Sequence, residues 1–254
     1  MTARPIDLDA AMAVFAHGFA YTRSRTHPYL AERRGALWVL RDGPRRHGNA
    51  RTEEWLAPGG DPAQVVAQVL AEARGRHALC VLHPQPTSHD ALRDAYKAHG
   101  CRLLRTEPLM VHELRELPDF AAPPGIGVER VTTVELAERL RRAAGQTQIA
   151  PADLPDTSPH RQWLALDGDV PVGWVGSVQT AAGAWCSNLY VLPDWRRRGI
   201  GRALMSALLA DDRARGAALA VLLASHAGAR LYPVVGYRQV GTLLVMSPTG
   251  RAGA

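Results

Sequence analysis

The stretch VLPDWRRRGIGRAL, Val191–Leu204, joins a predicted strand to a predicted helix. Three consecutive arginines, Arg196–Arg198, come directly before Gly-Ile-Gly, and the first amides of a helix have no acceptor within the helix. The positive end of the helix dipole and the absence of glycine side chains suit a phosphate that contacts the backbone. Because helix N-termini normally favour acidic residues, three arginines here indicate a bound anion. The stretch therefore predicts a phosphate-binding loop.

Two other phosphate motifs are excluded. A Walker A loop requires a lysine after its glycines, and the chain's only lysine, Lys97, lies in the other half of the sequence. A dinucleotide fold requires G-x-G-x-x-G and an acidic ribose partner at a fixed distance, which this stretch lacks. The alternative without a ligand is a glycine-rich turn with exposed arginines.

The composition indicates a globular protein, with 46% hydrophobic and 21% charged residues in a chain of 254. No apolar run approaches the ~20 residues of a membrane span, and the first residues do not form a signal peptide, so we expect a cytoplasmic protein with no membrane partner. The three cysteines are widely spaced, which argues against disulfides and a metal site. The net charge of +6 allows a nucleic-acid binder as an alternative, but no basic tail or stacking platform supports it.

A proline-rich segment, Leu117–Gly127, divides the chain into nearly equal halves. We therefore expect one domain at 1–119, a linker at 120–126 and a second domain at 127–254. In the second half the pattern predicts a helix capped by Thr133, a polar loop at 146–160, three strands, the helix after Arg198, a buried strand (ALAVLLAS) and a short helix. Each half is expected to end in two strands: GCRLLR and PLMVHEL in the first, GYRQV and TLLVMS in the second.

The halves also share an internal repeat. Identical residues recur at one constant offset without a gap, which favours a tandem duplication over two unrelated strand-helix-strand segments. The matching pairs are Tyr96 and Tyr232, Gly100 and Gly236, Arg102 and Arg238, Thr106 and Thr242, and Met110 and Met246.

The second half resembles the GNAT superfamily of acyl-CoA-dependent N-acyltransferases over about 127–248. The family motif [Q/R]-x-x-G-x-[G/A] reads here as Arg196-Arg197-Arg198-Gly199-Ile200-Gly201, and the family's later segment N-x-x-A-x-x-L-Y-x-x-x-G-[F/Y] reads as SHAGARLYPVVGY, Ser225–Tyr237. The resemblance implies an α/β fold with a mixed, mostly antiparallel sheet flanked by helices, in two tandem GNAT-like domains. It also implies transfer of an acetyl or other short acyl group from acyl-CoA to a primary amine of a small molecule or peptide, by a monomer or homodimer and without a metal.

The resemblance assigns roles to individual residues. Amides from Arg197 to Arg202 hold the CoA pyrophosphate, and the backbone of Leu189–Val191 pairs with the pantetheine arm where two strands splay apart. Tyr232 matches the tyrosine that protonates the departing thiolate. The alternative role of Tyr232 is packing, since Tyr96 occupies the matching position of the first half. The implied cofactor-binding residues are Leu189, Tyr190, Val191, Arg196, Arg197, Arg198, Gly199, Ile200, Gly201, Arg202, Ala203 and Ser225.

The general base is left open. The strand WCSNLYV carries no acidic residue, although many family members place a base there. Candidates are Asp153, Asp156, His160 and His226, each of which has an ordinary loop or capping role as its alternative. The missing acid also leaves a non-catalytic acyl-CoA sensor or scaffold of the same fold as an alternative function.

The first half reads as a degenerate copy. At the position of the arginine-glycine loop it has WLAPGGDPAQVV, in which Asp61 and Pro62 are an ordinary helix cap and first helical residue. We therefore expect one acyl-CoA site in the chain, in the second half.

Overall fold

The computed structural model describes residues 6–84, 88–225 and 228–249. In chain order the helices and strands are α1 (Leu8–Arg23), β1 (Tyr29–Arg34), β2 (Leu37–Asp42), β3 (Glu53–Ala57), α2 (Pro62–Glu72), β4 (His77–His83), α3 (Asp90–Ala98), β5 (Cys101–His112), β6 (Ile126–Arg130), α4 (Val134–Ala144), β7 (His160–Asp167), β8 (Val170–Thr180), β9 (Gly183–Val191), α5 (Ile200–Ala214), β10 (Ala220–Leu223) and β11 (Arg238–Pro248). In the second half the helices and strands from β6 to β10 follow the predicted order.

Contacts divide the chain into two compact units. Unit 1 contains the described residues of Met1–Met110, Leu223–His226 and Gln239–Ala254, and unit 2 those of Val111–Leu222 and Ala227–Arg238. The last strand therefore packs with unit 1, although it follows unit 2 in the sequence. The linear division into 1–119, 120–126 and 127–254 stays a prediction about domains.

Unit 1 has a mixed sheet in the order β1-β2-β3-β4-β11-β5. Within this sheet β3 and β4 run parallel, whereas β1 pairs antiparallel with β2, and β2 pairs antiparallel with β3. Apolar side chains of α2, α3 and the sheet form a buried core that includes Trp55, Val69 and Tyr96. As predicted, the Asp61 carboxylate caps α2, accepting a hydrogen bond from the Gln64 amide at 3.1 Å.

Unit 2 has the strand order β10-β9-β8-β7-β6, in which β6 to β9 form an antiparallel meander and β10 runs parallel to β9. The predicted cap of α4 is confirmed, since the Thr133 side chain accepts from the Leu136 amide. Helix α4 and the loop after it pack on the sheet through Leu140, Ile149, Leu154 and Trp174. Both units thus show the predicted α/β fold with a mixed sheet flanked by helices.

The prediction of two separate strands at the end of each half is wrong. Each pair is a single continuous strand: β5 spans 12 residues and β11 spans 11. Gly241, which separates the two expected strands, lies within β11, where a Cβ atom would be 2.7 Å from His83 O and from Leu82 Cδ1. Glycine is needed there for the close approach of the neighbouring strand β4, not for a reversal of the chain.

The internal repeat has a structural counterpart. Gly100 and Gly236 both adopt left-handed backbone conformations, with φ of +77° and +92°, and each comes directly before a residue leading into a long strand. Tyr96 and Tyr232 each lie four residues before such a glycine and are buried. The matching residues therefore occupy equivalent places in the two halves.

Candidate functional site

The arginine-glycine loop forms a sharp turn between β9 and α5. A single 3-10 turn covers Pro193–Trp195, and Gly199 caps α5 with a left-handed φ of +94°. Arg197 also has a positive φ, +62°, which is uncommon for a residue with a side chain. Consecutive backbone amides that turn through such alternating conformations form a concave anion-binding nest.

The amides of this loop lack protein acceptors. Arg202 and Ala203 donate to Gly199 O at 3.0 and 3.1 Å, so intrahelical bonding begins only with these residues. Among the described residues, no acceptor is assigned to the five amides from Arg197 to Gly201. The loop therefore presents a row of unsatisfied donors at the positive end of a 15-residue helix.

The arginines of the loop are held by neutral partners. Arg196 Nε donates to Val191 O at 3.0 Å, and its guanidinium lies 5.5 Å from the Tyr190 ring centroid. Arg198 lies 4.8 Å from the Trp195 ring and Arg202 lies 5.0 Å from the Phe120 ring. Within the described part of the chain, no carboxylate forms an ion pair with Arg196, Arg197, Arg198 or Arg202. Their charge is available to an anionic ligand.

The strand before the loop separates from its parallel neighbour. Pairing of β9 with β10 is confined to Ala184 with Ala220 and Trp185 with Val221, so β9 continues from Cys186 to Val191 beyond this pairing. Such an opening suits an extended ligand that pairs with the exposed edge of β9. The register between β8 and β9 shifts between Trp174 and Gly176 of β8. In the facing part of β9, Asn188 has a left-handed φ of +59°. A bulge of this kind leaves one residue of the strand outside the ladder.

A buried ionic network fixes α5 to the sheet. Arg161 on β7 donates to Asp212 Oδ1 at 2.5 Å and to Asp211 Oδ2 at 2.5 Å, and Ser177 Oγ donates to Asp212 Oδ1 at 2.7 Å. Burial raises the pKa of Asp212 to about 6 despite these partners. The network holds the helix whose N-terminus forms the loop, although it lies toward the other end of that helix.

Tyr232 lies close to the same loop. It begins the 3-10 turn Tyr232–Val235, and the preceding Leu231 places its Cδ2 atom 3.3 Å from where a Cβ of Gly201 would lie. The Tyr232 ring is buried and lies 5.7 Å from the Tyr237 ring. Burial, and then the neighbouring Cys186, raise the pKa of Tyr232 well above its usual value. The phenol therefore stays protonated at neutral pH, as a proton donor must.

The base candidates divide into two groups. Asp156 is paired with Arg130 and Arg215, and these guanidinium groups lower its pKa to about 2, so it is a poor proton acceptor at neutral pH. Asp153 and His160 lie together: Asp153 Oδ2 is 3.4 Å from His160 Nδ1, and Ser158 Oγ donates to Asp153 Oδ1 at 2.8 Å. His226 lies outside the described residues.

The other predicted residues have varied surroundings. Leu189 and Val191 are half-buried on β9, whereas Tyr190 is exposed and stacks on Trp174 with ring centroids 4.9 Å apart. Ile200 and Ala203 are buried in the first turns of α5 and offer only their backbones. Ser225 is exposed in the segment after β10.

A chain of neutral side chains was not predicted from the sequence. Asn188 Nδ2 donates to Gln148 Oε1, and Gln162 Nε2 donates to Gln148 O at 3.3 Å and lies 3.4 Å from His160 Nε2. These contacts join residues up to 40 positions apart, and no local pattern marks them. The repeated glutamines of QTQ and the Asn in an otherwise apolar strand were the available signals.

The described residues contain no group of three or more histidines, cysteines and acids arranged to hold a metal. Nor do they contain a helix of the length and apolarity required to span a membrane.

Residues 158–239 match the model of the Acetyltransferase (GNAT) domain. The match confirms the resemblance inferred from the loop and the Ser225–Tyr237 segment, and the chain carries a GNAT domain in its second half. No curated protein sequence matches the chain.

Solved structures extend the likeness in fold to almost the whole chain. A GCN5-related N-acetyltransferase from Kribbella flavida is 22% identical, with a TM-score of 0.66, over 95% of this chain and 96% of its own. A GCN5-related N-acetyltransferase from Sphaerobacter thermophilus is 23% identical, with a TM-score of 0.55, over 83% of this chain and 76% of its own. A tandem GNAT protein from the clavulanic acid biosynthesis pathway is 14% identical, with a TM-score of 0.54, over 98% of each chain.

Proposed function

We propose that the protein transfers an acetyl or other short acyl group from acyl-CoA to a primary amine. The observation that carries this proposal is the loop Arg197–Gly201, with five amides to which no acceptor is assigned among the described residues and arginines without carboxylate partners. It adjoins the free stretch of β9 from Cys186 to Val191. A pyrophosphate at the loop and a pantetheine arm along β9 would satisfy both sets of unused hydrogen-bonding groups.

The reaction is a direct attack. The amine nitrogen adds to the thioester carbonyl, the C–N bond forms and the C–S bond breaks. A backbone amide released by the bulge at Asn188 is placed to stabilise the oxyanion. Tyr232, which burial keeps protonated at neutral pH, donates its proton to the departing thiolate.

We further propose one acyl-CoA site per chain, in unit 2. In unit 1 the corresponding strands β3 and β4 pair at five successive positions, from Glu53 with His77 to Ala57 with Val81, and leave no opening. Asp61 already accepts from the first turn of α2, and its negative charge opposes a phosphate there. Titration calorimetry should give one acetyl-CoA per chain; two equivalent sites would contradict this assignment.

Substitutions at Gly201 test the cofactor site. A Cβ there meets the flexible end of Leu231 at 3.3 Å and Val191 Cγ2 at an ordinary 3.9 Å, and the position is helical, so Gly201→Ala should fold and retain acetyl-CoA binding. Gly201→Glu places bulk and negative charge where the pyrophosphate would lie and should abolish binding. Gly201→Gln is the matched neutral control for the charge. Equal binding by the Ala and Glu variants, or no binding by the wild type, refutes the assignment.

A second function, a non-catalytic acyl-CoA sensor or scaffold, is favoured by one observation. The 24 residues Val170–Pro193, which include β8 and β9, contain no Asp, Glu, Lys, Arg or His. An amine panel assayed with acetyl-CoA by thiol release separates the two functions. Turnover supports the transferase, whereas acetyl-CoA binding without turnover on any amine supports the sensor.

A further inference from the structure

The bulge of β9, where the proposed oxyanion amide lies, carries a neutral side chain, that of Asn188. Asn188 lies at the bulge of β9, where the left-handed backbone suits asparagine better than most residues. Its Nδ2 donates to Gln148 Oε1, which fixes the amide and turns Oδ1 away from Gln148. Cys186 contacts Met205 of α5, whereas Asn188, two residues later and across the bulge, contacts Gln148 in the loop after α4. The Asn188 side chain therefore lies on the face of the sheet opposite α5. Asn188 Oδ1 can accept an N–H from an amine but cannot take its proton.

Gln148, Gln162 and His160 form a chain of contacts behind Asn188. Gln162 is 1% exposed and donates to Gln148 O, while His160, 4% exposed, lies between Gln162 and Asp153. Gly176 makes room for this arrangement, since a Cβ there would lie 2.6 Å from Gln162 Nε2. The Asp153–His160 pair is thus separated from Asn188 by two amide side chains, which do not transfer protons under ordinary conditions.

Arg196 brings positive charge to the end of β9. Arg196 donates to Val191 O and covers the Tyr190 ring. Asp156 is occupied by Arg130 and Arg215. A cationic ammonium near Asn188 would find Asp156 already paired and Asp153 separated from Asn188 by Gln148 and Gln162, and Arg196 would repel it.

The proton balance then selects the acceptor. A neutral amine loses one proton on forming the amide, and the thiolate gains one, so the overall reaction releases none. An ammonium must first lose a further proton, for which a base is needed. Resting on the proposed transferase function, we propose that the acceptor is a weakly basic primary amine that binds in its neutral form, such as the α-amino group of an amino acid or peptide or an arylamine, rather than a lysine side chain or polyamine.

The α- and ε-amines of lysine provide a test, each presented with the other amine blocked. Ordinary pKa values of about 8 and 10.4 leave about 200-fold more neutral α-amine than ε-amine at pH 7.5. The lower nucleophilicity of the α-amine offsets part of this, so we expect its kcat/KM to be at least about tenfold higher. An arylamine serves as a third acceptor.

The pH dependence of kcat/KM distinguishes the acceptor from an enzyme base. We expect the inflection to move with the pKa of each acceptor. One inflection at the same pH for every acceptor, or a preference for the ε-amine, overturns the inference while leaving the transferase function standing. Acetyl-CoA binding with no transfer to any amine overturns the function and this inference together.

The substitution Asn188→Asp should weaken or reverse the preference for the α-amine over the ε-amine. Asn188→Asp keeps the shape and the tolerance for a left-handed backbone but adds a carboxylate that stabilises an ammonium and accepts its proton. We expect it to shift the α-to-ε ratio toward the ε-amine by about tenfold or more. Asn188→Gly is the neutral control and should not shift the ratio in this direction. An unchanged ratio in Asn188→Asp, in a variant that still turns over, contradicts the role of Asn188.

Discussion

Replacing Arg197 by glycine should separate stability from ligand binding. Arg197 has a φ of +62°, and this conformation costs a residue with a side chain about 1–2 kcal/mol. Glycine removes that cost but loses about 0.5–1 kcal/mol more conformational entropy on folding. The net expectation for Arg197→Gly is a free energy of unfolding that is unchanged or up to about 1.5 kcal/mol higher.

Arg198→Gly is the matched control, because it removes the same charge from the adjacent position. Arg198 does not belong to the described residues with positive φ, and its guanidinium lies 4.8 Å from the Trp195 ring. It therefore loses a cation–π contact of about 0.5–1 kcal/mol as well as the glycine entropy, and should be destabilised by about 1–2 kcal/mol.

Denaturant unfolding measures the difference between the two variants, expected at about 2 kcal/mol in favour of Arg197→Gly. Thermal unfolding should show it as a difference in Tm of about 4–8 °C, at about 2–4 °C per kcal/mol for a chain of this size. Both variants should bind acetyl-CoA more weakly than the wild type, since each loses one positive charge from the loop. Equal destabilisation of the two variants would refute the claim that Arg197 is strained.

Three further predictions concern separate parts of the chain. Tyr232→Phe should lower kcat more than acetyl-CoA affinity, because it removes the phenol assigned as the proton donor to the departing thiolate; unchanged turnover excludes that role. Gly176→Ala should cost about 1–3 kcal/mol and displace Gln162, raising the acceptor KM with little change in acetyl-CoA affinity, and an unaltered acceptor KM contradicts it. Burial raises the pKa of Glu54 to about 7, so the folded state binds this proton more tightly than the unfolded chain, and stability should fall by about 3 kcal/mol between pH 4.5 and 7. Glu54→Gln should remove this component of the slope in denaturant titrations, and an identical slope in the variant argues against it.

Local chemistry explains what the sequence predicted well. The arginine-glycine loop, the Thr133 and Asp61 caps and the apolar period of α5 are each encoded within a few adjacent residues. The strands around the loop were equally predictable because their hydrophobic pattern is continuous. These features position the loop at which we propose the acyl-CoA site.

Contacts between distant residues were not predictable in the same way. The partners of Asp156 are 26 and 59 positions away, so its sequence neighbourhood gave no sign that its charge is occupied. The bulge that displaces Asn188 arises from the register between β8 and β9, which depends on both strands. The roles of Gly241 and Gly176 could not be read from the sequence for a similar reason. A glycine that makes room for a neighbouring group and a glycine that turns the chain look alike in sequence.

The two units differ at the features that a phosphate and a thioester would require. In unit 1 the Asp61 carboxylate satisfies the first turn of α2, and β3 and β4 pair without interruption, so the hydrogen-bonding groups there are used within the protein. In unit 2 the corresponding amides and strand edge have no such partners among the described residues, and Arg197 holds a strained conformation. Unsatisfied donors and backbone strain both disfavour folding, so their concentration at one helix start needs a compensating ligand. If acyl-CoA is that ligand, its binding should raise the Tm of the wild type, and this stabilisation should be lost in Gly201→Glu.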